Sequence, residues 1–216
     1  MIILRRLRLP IVLILVLIAS TAQAYPVSVG ESIKVTAWSG ATGGGEFTMV
    51  TSAGVSFQSF CLERDEYLSP NTFYKIADIS TKAIRGGVNT DLNDDLDPKT
   101  AYLFYHFAIG DLKADATHPY SKFDSVYGQD ALQRAIWMLE GELATDNSNK
   151  FYALVKDMVL TDVGAVRVIN PVDEAYSPTN PAGYYKQSIL VLTPEPGTLL
   201  ILGLSLAGLA ALRRKI

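Results

Sequence analysis

The chain has 216 residues, with 19 Lys and Arg against 22 Asp and Glu, a formal net charge of −3 and a pI near 5.4. That balance supplies no basic footprint for nucleic acid. A single cysteine excludes an intramolecular disulfide and a zinc site of paired cysteines, and with only two histidines beside it neither a metal centre nor a cofactor is expected.

The N-terminus, MIILRRLRLP, places Arg5, Arg6 and Arg8 ahead of the apolar run IVLILVLIAS, and Ala22-Gln23-Ala24 supplies the small residues a signal peptidase reads. Residues 1–24 are therefore read as a secretory signal, with Tyr25 as the mature N-terminus. Removing both ends leaves 25–193, about 170 residues, enough for one domain with a sizeable core.

VSVGESIKVTAW, GEFTMVTS and GVSFQSFCLE carry β-branched residues in partial alternation between turn signals, and predict antiparallel strands. The glycine-rich GATGGG between the first two lacks the Lys and Ser/Thr of a phosphate cradle and reads as a flexible hairpin connection. NTDLNDDLDP spaces Asp91, Asn93 and Asp95 like half of a calcium loop, but Leu96 stands at the glycine position and Tyr102 at the final glutamate position. An EF-hand is excluded in form. An irregular calcium site over Asp91–Asp97 is left open, beside the reading of a solvated acidic lead-in to a helix.

That helix is predicted from Asp97 as N-cap and Pro98 as first residue, followed by the aromatic-rich TAYLFYHFAIG. A second, QDALQRAIWMLEGEL, sets Leu132, Ile136, Leu139 and Leu143 on one stripe. Gln133 and Trp137, four apart, share another face at the core boundary. NKFYALVKDMVL predicts a third helix. AVRVIN and YYKQSILVLT predict closing strands on either side of a Pro-, Asn- and Ser-rich loop. Strands, helices, strands imply an α+β domain: an antiparallel β-sandwich or barrel of N- and C-terminal strands with an inserted helical layer.

Beyond Thr193, the turn-forming Pro194-Glu195-Pro196-Gly197 precedes an uncharged stretch to Leu212 and the basic Arg213, Arg214 and Lys215. The stretch is short for a membrane helix, for which ~17 residues is the lower limit, though snorkelling basic side chains extend its reach. The basic end is expected on the cytoplasmic side and 25–193 outside the inner membrane. In the order of its parts, 194–216 resembles the PEP-CTERM sorting signal of Gram-negative bacteria. That resemblance implies a transient inner-membrane anchor cut by an exosortase, and delivery to the cell envelope, outer surface or exopolysaccharide matrix.

Cys61 is the remaining puzzle, because a free thiol in an oxidising compartment is a liability unless it is buried or chemically tied up. Phe60-Cys61-Leu62-Glu63 on a strand end, with Leu132-Gln133-Arg134-Ala135-Ile136-Trp137 on a helix, resembles the thioester domain of bacterial surface adhesins. Those adhesins sit on Gram-positive surfaces, which is where this chain departs from them. The resemblance implies an internal thioester between Cys61 and Gln133, shielded from water by Trp137. Such a bond acylates an amine or a sugar hydroxyl on a surface or matrix partner, once per molecule and without a cofactor, so the protein is not an enzyme in the turnover sense.

His106 is a candidate base for the incoming nucleophile, although on so aromatic a helix a packed histidine is the simpler reading. From a different class comes the alternative of a noncovalent structural or glycan-binding matrix protein with a buried Cys61, to which Tyr184 and Tyr185 could contribute a sugar-binding surface. A weaker option pairs carboxylates among Glu63, Asp65, Glu66, Glu140 and Glu142 for glycoside hydrolysis.

Overall fold

A computed structural model describes residues 27–40, 44–84, 94–173, 185–193 and 205. The chain forms two compact units, one of residues 24–193 and one of residues 1–23 with 194–216. Of the second unit only Ser205, exposed and helical, is described.

Among the described residues of the larger unit are eight strands and three helices. The strands are β1 Ser32–Trp38, β2 Phe47–Thr51, β3 Ser56–Ser59, β4 Tyr74–Ser80, β5 Lys82–Ala83, β6 Asp94–Asp95, β7 Val166–Val172 and β8 Ile189–Leu192. The helices, α1 Pro98–Ala108, α2 Gln129–Leu139 and α3 Lys150–Val155, lie in sequence between β6 and β7. Six strands form one antiparallel sheet in the order β3-β2-β1-β4-β7-β8, and β5 and β6 form a separate pair. The architecture is α+β, with N- and C-terminal strands in one sheet as their patterning implied.

Two features differ from the expectation. Central β4, the strand that joins the two halves of the sheet, was not anticipated. Its ladder to β1 is short, Ser32↔Lys75 and Ile33↔Tyr74, and its ladder to β7 is irregular between Ile76 and Asp78, so the alternation that marks a strand is interrupted within YKIADIS. The sheet is also not closed into a barrel. Its edge strands β3 and β8 share no ladder; a single bridge, Cys61↔Ile189, joins the residues just past β3 to β8. β3 is only four residues long, and the chain leaves the edge at Cys61 before a ladder can extend.

That contact is nonetheless firm. The Leu62 N–H donates to Ser188 O at 3.0 Å, the Leu190 N–H to Phe60 O at 3.2 Å, and Ser59 Oγ to Leu190 O at 2.6 Å. Curvature of the sheet gathers Ile33, Val35, Met49, Phe57, Ile76, Ile169, Ile189 and Val191 into one cluster. The second cluster, facing the helices, includes Phe60, Leu62, Leu103, Phe104, Leu132, Ile136, Phe151, Val168 and Leu190. β7 and β8 thus contribute to both clusters, and burial on both faces accounts for the continuous apolar run of β8.

α1 starts as its sequence dictates: the Asp97 carboxylate accepts from the Lys99 N–H at 2.6 Å, and Pro98 occupies the first turn. α2 has Gly128 at its N-cap with no side-chain cap, and is held by packing instead, burying eight of its eleven residues. α3 is only six residues long; its N-cap Asn149 also donates from Nδ2 to Ala131 O at 2.8 Å, tying the start of α3 to α2.

Candidate functional site

Cys61 stands where the chain leaves β3 and touches β8, and Gln133 sits in the middle of α2. The bridge to Ile189 fixes the backbone at Cys61, while Leu132 and Ile136, both fully buried, fix the rotation of α2. These two constraints aim the Gln133 side chain at the Cys61 main chain. The Cys61 N–H donates to Gln133 Oε1 at 3.0 Å, and Gln133 Nε2 donates to Cys61 O at 2.9 Å. A third bond comes from the β1–β2 connection, where the Gly45 N–H donates to the same Oε1 at 3.1 Å. This pattern fixes which end of the amide is oxygen, because two donors face one atom and a carbonyl faces the other.

Gln133 is wholly buried, deeper than the boundary position its helix face implied. A neutral amide is tolerated there because its carbonyl and its amino group both find backbone partners. Trp137, 5% exposed, lies one turn along, and its indole covers Gly44 and the Gln133 methylenes: a Cβ placed on Gly44 would lie 2.6 Å from Trp137 Cη2 and 2.8 Å from Gln133 Cγ. Among the described residues Trp137 Nε1 has no hydrogen-bond partner.

The β1–β2 connection joins an antiparallel hairpin, as its reading implied, and its described residues Gly44 and Gly45 also border the site. Gly45 has φ of +114°, a conformation that L side chains rarely adopt, and this turns its N–H toward α2. Both flanks of the connection are tied down. Ser39 Oγ donates to Gln129 Oε1 and Ser39 O accepts from Gln129 Nε2. On the other side Glu46 accepts from Tyr120 Oη at 2.8 Å and from Lys122 Nζ at 2.7 Å. The run of glycines was visible in the sequence; its partner on α2 was not.

Two residues beyond Cys61, Glu63 is buried as well. Its Oε2 accepts from the Ser188 N–H at 2.9 Å, and Oε1 has no partner among the described residues. Burial raises its carboxyl to about 8, against the lowering effect of the Ser188 bonds. The Cys61 thiol is itself pushed well above its usual range, first by burial and then by the charge of Glu63. At neutral pH the thiol is protonated and shielded, inert toward reagents in solution.

His106 lies on α1, where its Nδ1 is 2.7 Å from Asp111 Oδ1 and its ring packs against Tyr102. Its polar partner there is Asp111. Glu140 is buried at the end of α2 and accepts weakly from the Asp97 N–H, and burial raises it to about 8. Arg64 N–H donates to Glu142 Oε2 at 3.4 Å. Tyr185 is buried and bridges Val172. Asp95 pairs with Lys82 at 3.0 Å, and no cluster fit to hold a metal occurs among the described residues. Asp91, Asn93, Tyr184, Pro194, Glu195, Pro196, Arg213, Arg214 and Lys215 lie outside the described residues, as does the apolar stretch between Pro196 and Arg213 apart from Ser205. No described helix is long and apolar enough to cross a membrane.

No curated protein is similar to the chain. No solved structure resembles it. Residues 192–215 match a family model described as the PEP-CTERM protein-sorting motif, which supports export, processing by an exosortase and sorting to the cell envelope or surface.

Proposed function

We propose that this exported protein carries an internal thioester between Cys61 and Gln133 and uses it to attach covalently to a nucleophile on a surface or matrix partner. The observation that supports this reading is the pairing of the only cysteine's backbone with the Gln133 carboxamide inside a dry, tryptophan-covered site. Gln133 and Cys61 belong to distant parts of the chain, yet the fold bonds the carboxamide of one to the main chain of the other, and such pre-positioning is what favours an acyl transfer between neighbouring side chains. Burial accounts for the survival of such a bond, since water is excluded from the carbonyl carbon.

The Cys61 sulfur adds to Cδ of Gln133 and ammonia leaves, carrying the thiol proton on Nε2; no cofactor or oxidant enters the balance. An amine or hydroxyl of the partner then attacks the same carbon and Cys61 departs as the thiol. The partner is left bonded to the Gln133 side chain as an amide or ester. Because the acyl donor is consumed, each molecule reacts once.

Intact mass of the exported protein, beside a Cys61→Ala control, tests the reading. A mass one ammonia below that calculated, converted by methylamine into an adduct at residue 133 and absent from the control, is the expected result. A full mass with one thiol titratable on denaturation would overturn it, and would leave a noncovalent matrix protein with a buried cysteine.

A further inference from the structure

The Gln133 carbonyl oxygen accepts from two backbone N–H groups on neighbouring segments, that of Cys61 just past β3 at 3.0 Å and that of Gly45 just before β2 at 3.1 Å. Donors in that number, at that distance and away from water form the arrangement that stabilises an oxyanion in acyl transfer. Resting on the thioester reading above, we infer that the Cys61 and Gly45 N–H groups are an oxyanion hole for the tetrahedral intermediates formed at Cδ of Gln133. They serve both when the thioester closes and when the partner opens it.

A buried glutamine carbonyl needs at least one donor, which the Cys61 N–H supplies, and the Gly45 N–H fills its second lone pair. The second donor is held at a backbone conformation of φ +114°, next to a glycine whose Cβ would collide with Trp137 and Gln133. Glycine adopts such a conformation without steric cost, and contacts on its flanks select it. Here the determinants are the Ser39–Gln129 pair and the Glu46 bonds to Tyr120 and Lys122, on either flank of the glycines.

In the closing step the Cys61 Sγ–Cδ bond forms as the carbonyl π pair moves onto Oε1, where the two N–H groups hold the negative charge. The thiol proton passes to Nε2, the carbonyl re-forms and ammonia leaves. In the opening step the partner's nitrogen or oxygen adds to Cδ, the charge returns to Oε1, and the Cδ–Sγ bond breaks with the nucleophile's proton ending on sulfur. Because both Cys61 and Nε2 are neutral in the ground state, stabilisation of Oε1 is the contribution the site makes through charge.

The test exchanges Gly45 for glycolic acid by nonsense suppression in the full chain, swapping one N–H for an ester oxygen without adding a side chain. Loss of one such donor costs about 10²–10³-fold in acyl-transfer rate. A folded variant whose thioester opens with methylamine slower by that factor, or in which the ammonia is never lost although the unaltered protein loses it, supports the inference. Opening at the unaltered rate overturns it while leaving the thioester intact. Absence of the ammonia loss from the unaltered protein sinks the thioester reading itself, a separate result. Should the ester variant not fold, the infrared band of the ¹³C-labelled Gln133 carbonyl in the unaltered protein decides. A band below that of a small peptide thioester in water supports two donors, and an unshifted or higher band excludes them.

Discussion

The carboxamide of Gln133 and the main chain of Cys61 form a closed pair of hydrogen bonds, with the Cys61 N–H donating to Oε1 at 3.0 Å and Nε2 donating back to Cys61 O at 2.9 Å. A side chain in the middle of a helix thereby completes the backbone pairing of a strand end. Chemistry and stability are coupled at this point, because removing the polar side chain of residue 133 leaves buried backbone groups without partners.

Gln133→Ala removes the acceptor of two buried N–H groups and the donor to one carbonyl. Unsatisfied buried groups cost about 1–3 kcal/mol each, so a loss of roughly 3 kcal/mol or more is expected, read from the denaturant midpoint at unchanged slope. Cys61→Ala, which keeps the backbone bonds, is expected to cost less. Equal losses would mean that the side-chain pairing contributes nothing.

Gln133→Glu mimics the hydrolysed thioester and places an oxygen where Nε2 now donates to Cys61 O. Two facing acceptors require the new carboxyl to hold a proton, so its pKa in the folded state rises above the unfolded value of about 4.3. Stability of the variant is then full below that value and lost as pH rises through the folded one. Chemical denaturation at pH 4 and pH 7 should show a larger deficit against the parent protein at pH 7; an equal deficit at both would contradict this geometry.

Glu63 and Glu140 extend the same argument to the parent protein. Both carboxyls are raised from ordinary values to about 8 by burial. The native state therefore binds more protons than the unfolded chain between about pH 4.5 and 8, and stability falls as pH rises across that window. Glu140→Gln retains an acceptor for the Asp97 N–H and removes the charge. It is expected to flatten the decline and to leave the variant the more stable of the two at pH 8. Midpoints measured across the window check this, and a parent protein more stable at pH 8 than at pH 5 would count against it.

Gly44→Ala forces a methyl group to within 2.6–2.8 Å of Trp137 and Gln133. Overpacking of this kind costs about 1–3 kcal/mol, and displacement of the indole admits water to the Gln133 carbonyl. Thermal unfolding should fall, and the proposed bond should hydrolyse faster in buffer without nucleophile. Trp137→Ala opens the same cover with a larger stability loss, about 3–5 kcal/mol for a buried aromatic.

Sorting is tested at the other end of the chain. Exchanging Pro194, Glu195 and Pro196 for alanine, or Arg213, Arg214 and Lys215 for glutamine, is expected to leave unprocessed protein in the inner membrane of a host that carries an exosortase. Cell fractionation against the parent chain reads the outcome, and normal release of both variants would separate this match from the sorting it implies.

By itself the sequence determined those features that depend on near neighbours. Asp97 and Pro98 start α1 because a carboxylate and a ring with preset φ suffice there. Gln133 and Trp137 share a face because the helix repeats every 3.6 residues, and the order of the tail's parts is legible because its chemistry is linear. Tertiary structure decided what depends on residues far apart in the chain. Curvature of the sheet carries Cys61 to Ile189, and α2 docks so that Gln133 is wholly buried rather than marginal. The glycine run becomes a hydrogen-bond donor only because Ser39 and Glu46 anchor it to α2 and to the segment leading into α2. β4, short in its pairing with β1 and irregular beside β7, owes its central place to neighbours from both halves of the chain. Periodicity identifies the face a residue occupies; the depth and direction of that face are set by what packs against it, and here the packing partners come from both ends of the domain.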